Sequence, residues 1–184
     1  MPPTHPNAPR IPRIPDEQLA PHDLVEAIRK RRGGTLLNLD RMLLNSPAYA
    51  LGWNSFMGAV RTSLSLDPKL RELAICAVAV LNRAHYEWVQ HAPELLQAGG
   101  TQAQLDRLAD VDAAAQDAAL FDAAERATLA LTIAMTRQVQ VSDACFAQIR
   151  AALPTPQSQV ELAGVIAAYN MVSRFLEALQ VAPE

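Results

Sequence analysis

The chain has 184 residues, 50% of them hydrophobic and 19% charged, a composition that can bury a core and differs from that of disordered chains. Its 16 basic and 19 acidic side chains leave a formal charge of -3, which excludes the basic footprint of a nucleic-acid-binding protein and a polybasic patch for a membrane surface. With 33 Ala and 24 Leu against 7 Gly, the chain is rich in the two residues that lose least freedom in a helix, so an all-α fold is expected and sheets are not.

Prolines 2, 3, 6, 9, 12 and 15 open the chain and forbid helix there. Residues 1–15 are therefore expected as an extended arm, loose or laid over a neighbour, with Ile11 and Ile14 as anchors. The same prolines interrupt any signal-peptide pattern between Met1 and Ile14, and no apolar run reaches the length of about 18 residues that suggests a membrane span. A cytoplasmic protein without membrane or nucleic-acid partners is expected.

Residues 16–184 read as one helical domain. Helical pattern is predicted from Asp16 through Leu24, Ile28 and Lys30-Arg31-Arg32 to the stop at Gly33-Gly34, the basic cluster complementing the helix dipole. Thr35 is the expected cap of a short helix ending near Leu44. Pro47 opens the next, with Leu51, Phe56, Val60 and Leu64 as its apolar stripe. Asp67-Pro68 marks an N-cap followed by a first-turn proline, and the helix from Pro68 to Asn82 is apolar almost all round, as befits the middle of a bundle. Further helices are predicted from His85 to Ala98, closed by Gly99-Gly100, and from Thr101 to Leu108. Residues 109–120 read as a connection. Helices then follow over 122–138, 142–153 and 156–180, capped by Asp122, Ser142 and Thr155.

Glu72 stands out physically, because a carboxylate in so apolar a helix needs a partner. Glu87 and His91 lie one turn apart on the following helix, and a short link at Arg83-Ala84 makes the two helices antiparallel neighbours, bringing His91 towards Glu72. Two carboxylates around an imidazole make acid–base machinery. The same three side chains offer a two-carboxylate, one-histidine metal set, but no HExxH or histidine-rich cluster accompanies them, so no metal and no cofactor is expected. Cys76 and Cys145 form no CxxC and read as small buried hydrophobes.

The run from Leu66-Asp67-Pro68 through Glu72-Leu73-Ala74-Ile75, then Tyr86-Glu87-Trp88-Val89-Gln90-His91 and Ala98-Gly99, resembles the carboxymuconolactone decarboxylase family, which includes the AhpD-like alkylhydroperoxidases. Looser likeness extends to Ser46-Pro47, Gly52-Trp53, Tyr169-Asn170 and Arg174-Phe175. The resemblance implies an AhpD-like helical bundle that assembles as a homo-oligomer, from dimer to trimer or hexamer. In the peroxidase branch a glutamate precedes a CxxC pair and a histidine follows it. Glu72 and His91 match these, whereas Ala84 and Glu87 occupy the cysteine positions, which removes the thiolate nucleophile and its resolving partner. The resemblance therefore implies a cofactor-independent acid–base enzyme acting on a small lactone or organic acid. His91 is its expected proton donor, Glu72 its orienting group and Glu87 a second acid–base group. Arg71, His85 and Trp88 are candidate substrate-binding residues. The alternatives are a peroxiredoxin-type antioxidant protein and a non-catalytic helical oligomer.

Overall fold

The computed structural model describes residues 8–184, so Pro2, Pro3 and Pro6 of the expected arm lie outside the described residues. Among these residues there are ten α-helices and no strand. The helices are α1 (His22–Arg32), α2 (Asn38–Leu43), α3 (Pro47–Thr62), α4 (Pro68–Asn82), α5 (His85–Gln97), α6 (Gln102–Arg107), α7 (Val111–Ala114), α8 (Ala123–Arg137), α9 (Asp143–Ala152) and α10 (Pro156–Leu179). The backbone forms two compact units, one of residues 65–175 and one of residues 8–64 with 176–184.

In the smaller unit, residues 8–15 lie along their own chain. The Arg10 N–H donates to the Leu179 carbonyl at 3.0 Å, and Ile14 exchanges backbone and side-chain bonds with Arg41. Ile11 is exposed, so these polar contacts anchor the arm more than its side chain does. Helix α1 begins at His22 rather than near Asp16. Pro21 stands at its N-cap with extended backbone, and only a short 3-10 turn (Asp16–Gln18) forms before it. Gly33, at φ 78°, ends the helix in the left-handed conformation that glycine adopts at no steric cost. Thr35 does not cap α2. Asp40 does so from inside the helix, accepting the Leu37 N–H at 2.9 Å while Arg32 holds the same buried carboxylate. Pro47 opens α3 as expected, but its buried stripe is Ala50, Trp53, Met57 and Val60, with Leu51 and Phe56 exposed. Those four positions follow the i, i+3, i+7 rows of a helix more closely than the expected stripe of Leu51, Phe56, Val60 and Leu64.

In the larger unit α4 is the centre, packed against α5 and α8. Asp67 caps it, accepting the Lys69 and Leu70 N–H groups at 2.7 and 3.4 Å, and Pro68 supplies the pre-set φ of a first helical residue. Everything from Leu70 to Ala79 except Arg71 is buried. Leu73, Cys76 and Ala77 join Leu95, Leu105, Leu108, Val111, Phe121 and Leu129 in one apolar cluster. Each large aliphatic or aromatic side chain removed from water there contributes about 1.5–3 kcal/mol. Two carboxylates fix the start of α4. Glu125 of α8, which is buried, takes the Lys69 ammonium at 2.6 Å and the Gln104 amide, and closes a capping box with Asp122. Glu161 of α10 accepts the Leu66 N–H at 2.8 Å and the Ser65 hydroxyl at 3.0 Å. Arg83, at φ 57°, reverses the chain, and α5 returns antiparallel along α4.

Residues 109–120 are more than a connection. Asp110 caps the short α7, which carries Val111 and Ala114 into the core. Helix α10 is long and apolar enough, by length and composition, to cross a membrane, although no such run is expected from the sequence. Its Asn170 accepts from Asn82 of α4 and donates to Thr136 of α8.

Candidate active site

The reach of α4 and α5 past one another puts the expected groups together. His91 Nδ1 lies 2.7 Å from Glu72 Oε2, and Arg71 Nε donates to Glu72 Oε1 at 3.1 Å. Glu72 is 1% exposed and His91 9%. A carboxylate only accepts, so the imidazole proton in this contact sits on Nδ1, and the Arg71 guanidinium supplies the second compensation that a buried charge requires. The His91 ring stands edge-on to Tyr169 of α10, with centroids 4.9 Å apart and planes at 88°, which fixes the second face of the imidazole.

Glu87, one turn before His91 on the same side of α5, is 2% exposed. Its Oε2 meets the hydroxyl of Ser173, also on α10, and the same hydroxyl lies 2.8 Å from the Tyr169 carbonyl. Ser173 is not among the residues that the sequence singles out. Its signal is a hydroxyl one turn after Tyr169, but nothing local says that it faces Glu87, 86 residues away.

The remaining candidates divide. Arg71 belongs to the cluster, with its Nε committed to Glu72. His85 sits at the first position of α5, with Nδ1 buried and without a hydrogen-bond partner among the described residues. Trp88 packs against the apolar cluster of α4, α6 and α8. Two surface hollows, of about 450 Å³ beside Cys145 and about 510 Å³ beside Lys69 and Glu125, are lined by neither Glu72 nor His91. Among the described residues, no three His, Cys, Asp or Glu side chains are gathered as a metal site.

The chemistry of the site is set against thiol redox. Both cysteines are free; Cys76 is fully buried, as expected, and Cys145 half-buried. Burial, and then the charges of Glu72 and Glu87, push the Cys76 thiol far above the usual thiol range. Its nucleophilic form is thereby suppressed.

The helical architecture is that of the AhpD-like proteins. An uncharacterised peroxidase-related protein from Ralstonia eutropha JMP134, described as an alkylhydroperoxidase AhpD core, superposes with a TM-score of 0.81 at 20% identity, covering 98% of this chain and 94% of its own. An uncharacterised peroxidase-related protein from Silicibacter sp. TM1040 gives 0.78 at 19% identity, covering 98% and 96%. The debrominase Bmp8, as a cysteine-to-alanine variant in complex with 2,3,4-tribromopyrrole, gives 0.71 at 15% identity, covering 89% and 84%. No curated protein matches the chain. Residues 47–129 match the model of the Carboxymuconolactone decarboxylase family, the family that the residues around Glu72 and His91 resemble.

Proposed function

We propose that the chain is a cofactor-independent acid–base enzyme acting on a small lactone or organic acid, with Glu72 and His91 as its working pair. The observation that carries this reading is the 2.7 Å contact between His91 Nδ1 and Glu72 Oε2 inside the bundle. A carboxylate on Nδ1–H fixes the tautomer and orientation of the ring and assigns proton exchange to Nε2. In a decarboxylation the bond to the substrate carboxylate breaks, its electron pair passes into a conjugated carbonyl, carbon dioxide leaves, and His91 returns a proton to the carbon. Arg71 steadies the charge on Glu72 throughout. Ala84 and Glu87 at the positions where the peroxidase branch carries its cysteines, and the suppressed thiolate of Cys76, weigh against a peroxiredoxin-type reaction.

Assembly as a homo-oligomer belongs to the same proposal, on the strength of the family resemblance. The test is turnover of a panel of small lactones and conjugated acids by the wild type, Glu72→Gln and His91→Ala. On any accepted substrate both variants are expected to lose most of kcat. Variants that match the wild type would refute the assignment.

A further inference from the structure

Tyr169 and Ser173 stand one turn apart on α10, and the groups they meet, His91 and Glu87, stand one turn apart on α5. The earlier residue of α10 meets the later one of α5, so the two helices run in opposite directions along these side chains. Such a match of i, i+4 rows holds for one rotation of α10 only. Turning the helix by one residue swings its side chains through about 100°, which would carry both Tyr169 and Ser173 off α5.

Asn170, between them in sequence, reaches the other two helices. Its Oδ1 accepts from Asn82 Nδ2 of α4 at 3.1 Å and from Arg174 Nη1 of its own helix at 2.8 Å. Its Nδ2 donates to Thr136 Oγ1 of α8 at 3.0 Å and to the Ile166 carbonyl of α10 at 3.0 Å. A carboxamide has two donor hydrogens and two acceptor lone pairs on oxygen, so every one is engaged. An ionised aspartate of the same size would donate nothing, and a leucine would neither donate nor accept. A polar side chain satisfied across three helices specifies one arrangement of them, because a turned α10 strands its donors and acceptors.

We propose that Asn170 is a positioning residue. It fixes the rotation of α10 against α4 and α8, and thereby holds Tyr169 on the His91 ring and the Ser173 hydroxyl on the Glu87 carboxylate. The catalytic meaning of this role rests on the acid–base reading; the placement of the His91 ring does not.

Long-range nitrogen–proton correlation of the full-length protein, without substrate, reads the His91 ring directly. Asn170→Asp keeps the size and the acceptors but loses both donors. Thr136→Val removes the acceptor on α8, and Thr136→Ser restores it. The His91 ring resonances are expected to shift in Asn170→Asp and Thr136→Val and to stay near their wild-type positions in Thr136→Ser. Asp110→Ala, which uncaps α7, controls for lost stability alone and is expected to leave them in place. On an accepted substrate, Asn170→Asp and Thr136→Val should lower kcat about tenfold or more with KM little changed, since misplacing a working group by about 1 Å can cost a hundredfold. Circular dichroism verifies that each variant keeps its helices. Should Asn170→Asp not fold, the Thr136 pair decides alone. Resonances unmoved in Asn170→Asp and Thr136→Val, equal shifts in Asp110→Ala, or Thr136→Ser behaving as Thr136→Val would overturn the proposal. So would a turnover that needs His91 yet is indifferent to both substitutions. Shifts as expected, together with no effect of His91→Ala on turnover, would instead refute the acid–base reading and leave the positioning role of Asn170 standing.

Discussion

Replacing Glu72 by Gln and His91 by Phe, singly and together, isolates the bond on which the site is built. Phe keeps a ring against Tyr169, so the cycle reports chiefly the loss of Nδ1–H···Oε2. Both side chains are nearly sealed, at 1% and 11% exposed, and the contact is 2.7 Å. A buried hydrogen bond to a charged group contributes about 1.5–3 kcal/mol. The coupling energy is expected in that range, roughly a tenfold to hundredfold change in the folding equilibrium. His91→Phe alone strands a buried carboxylate, which costs about 3–5 kcal/mol when nothing compensates. The Arg71 bond to Oε1 keeps this variant towards the lower end. The internal comparison is Asp112 with Arg137, also bonded at 2.7 Å but with side chains 57% and 49% exposed. Solvent screening should hold that pair below about 1 kcal/mol. Urea unfolding followed by circular dichroism measures all of these. Additivity of Glu72→Gln and His91→Phe to within about 0.5 kcal/mol would show that the two groups are not bonded in solution.

Further outcomes follow from neighbouring features. Alkylation of the native protein at neutral pH is expected at Cys145, slowed because burial raises its thiol, with Cys76 labelled only on unfolding. Mass spectrometry showing Cys76 modified first would contradict this. Glu161 has its carboxyl held below the usual range, first by the Gln157 side chain and then by its bonds to Ser65 and Leu66. Its folded-state value is lowered, so its contribution is complete above the unfolded value and is lost as the pH falls through the lowered one. The stability gap between wild type and Glu161→Gln should therefore narrow on acidification, and a gap independent of pH would refute the link. Asp67→Ala removes the cap of the helix that carries Glu72 and should cost about 1 kcal/mol, a fall of a few degrees in Tm. An unchanged Tm would mean that the cap is not formed.

What the sequence made legible was local or depended on a burial conflict. The caps Asp67, Thr101, Asp122 and Ser142 each bind backbone two or three residues on, a signal contained within a few letters. Glu72 was legible because a charge in an apolar helix must have a partner, and His91 because a short link sends the next helix back past it. Ser173 was not, since its meeting with Glu87 depends on how α10 is laid against α5. Thr35 failed as a cap because Asp40 reaches back from inside α2, and the α1 boundary moved because Pro21 cannot continue a helix from Asp16. The expected α3 stripe differs from the buried one because Leu51 and Phe56 stand off the i, i+3, i+7 row that carries Ala50, Trp53 and Met57 into the interior.

The most direct test of the central claim is the protonation state of the His91 ring, measured by long-range nitrogen–proton correlation in the folded, nitrogen-15-labelled protein. Nδ1 is expected to carry a proton across the neutral range, and its shift is expected to move in Glu72→Gln. A ring whose Nδ1 is bare, with the proton on Nε2 alone, would contradict the Glu72–His91 pairing and the acid–base site built on it.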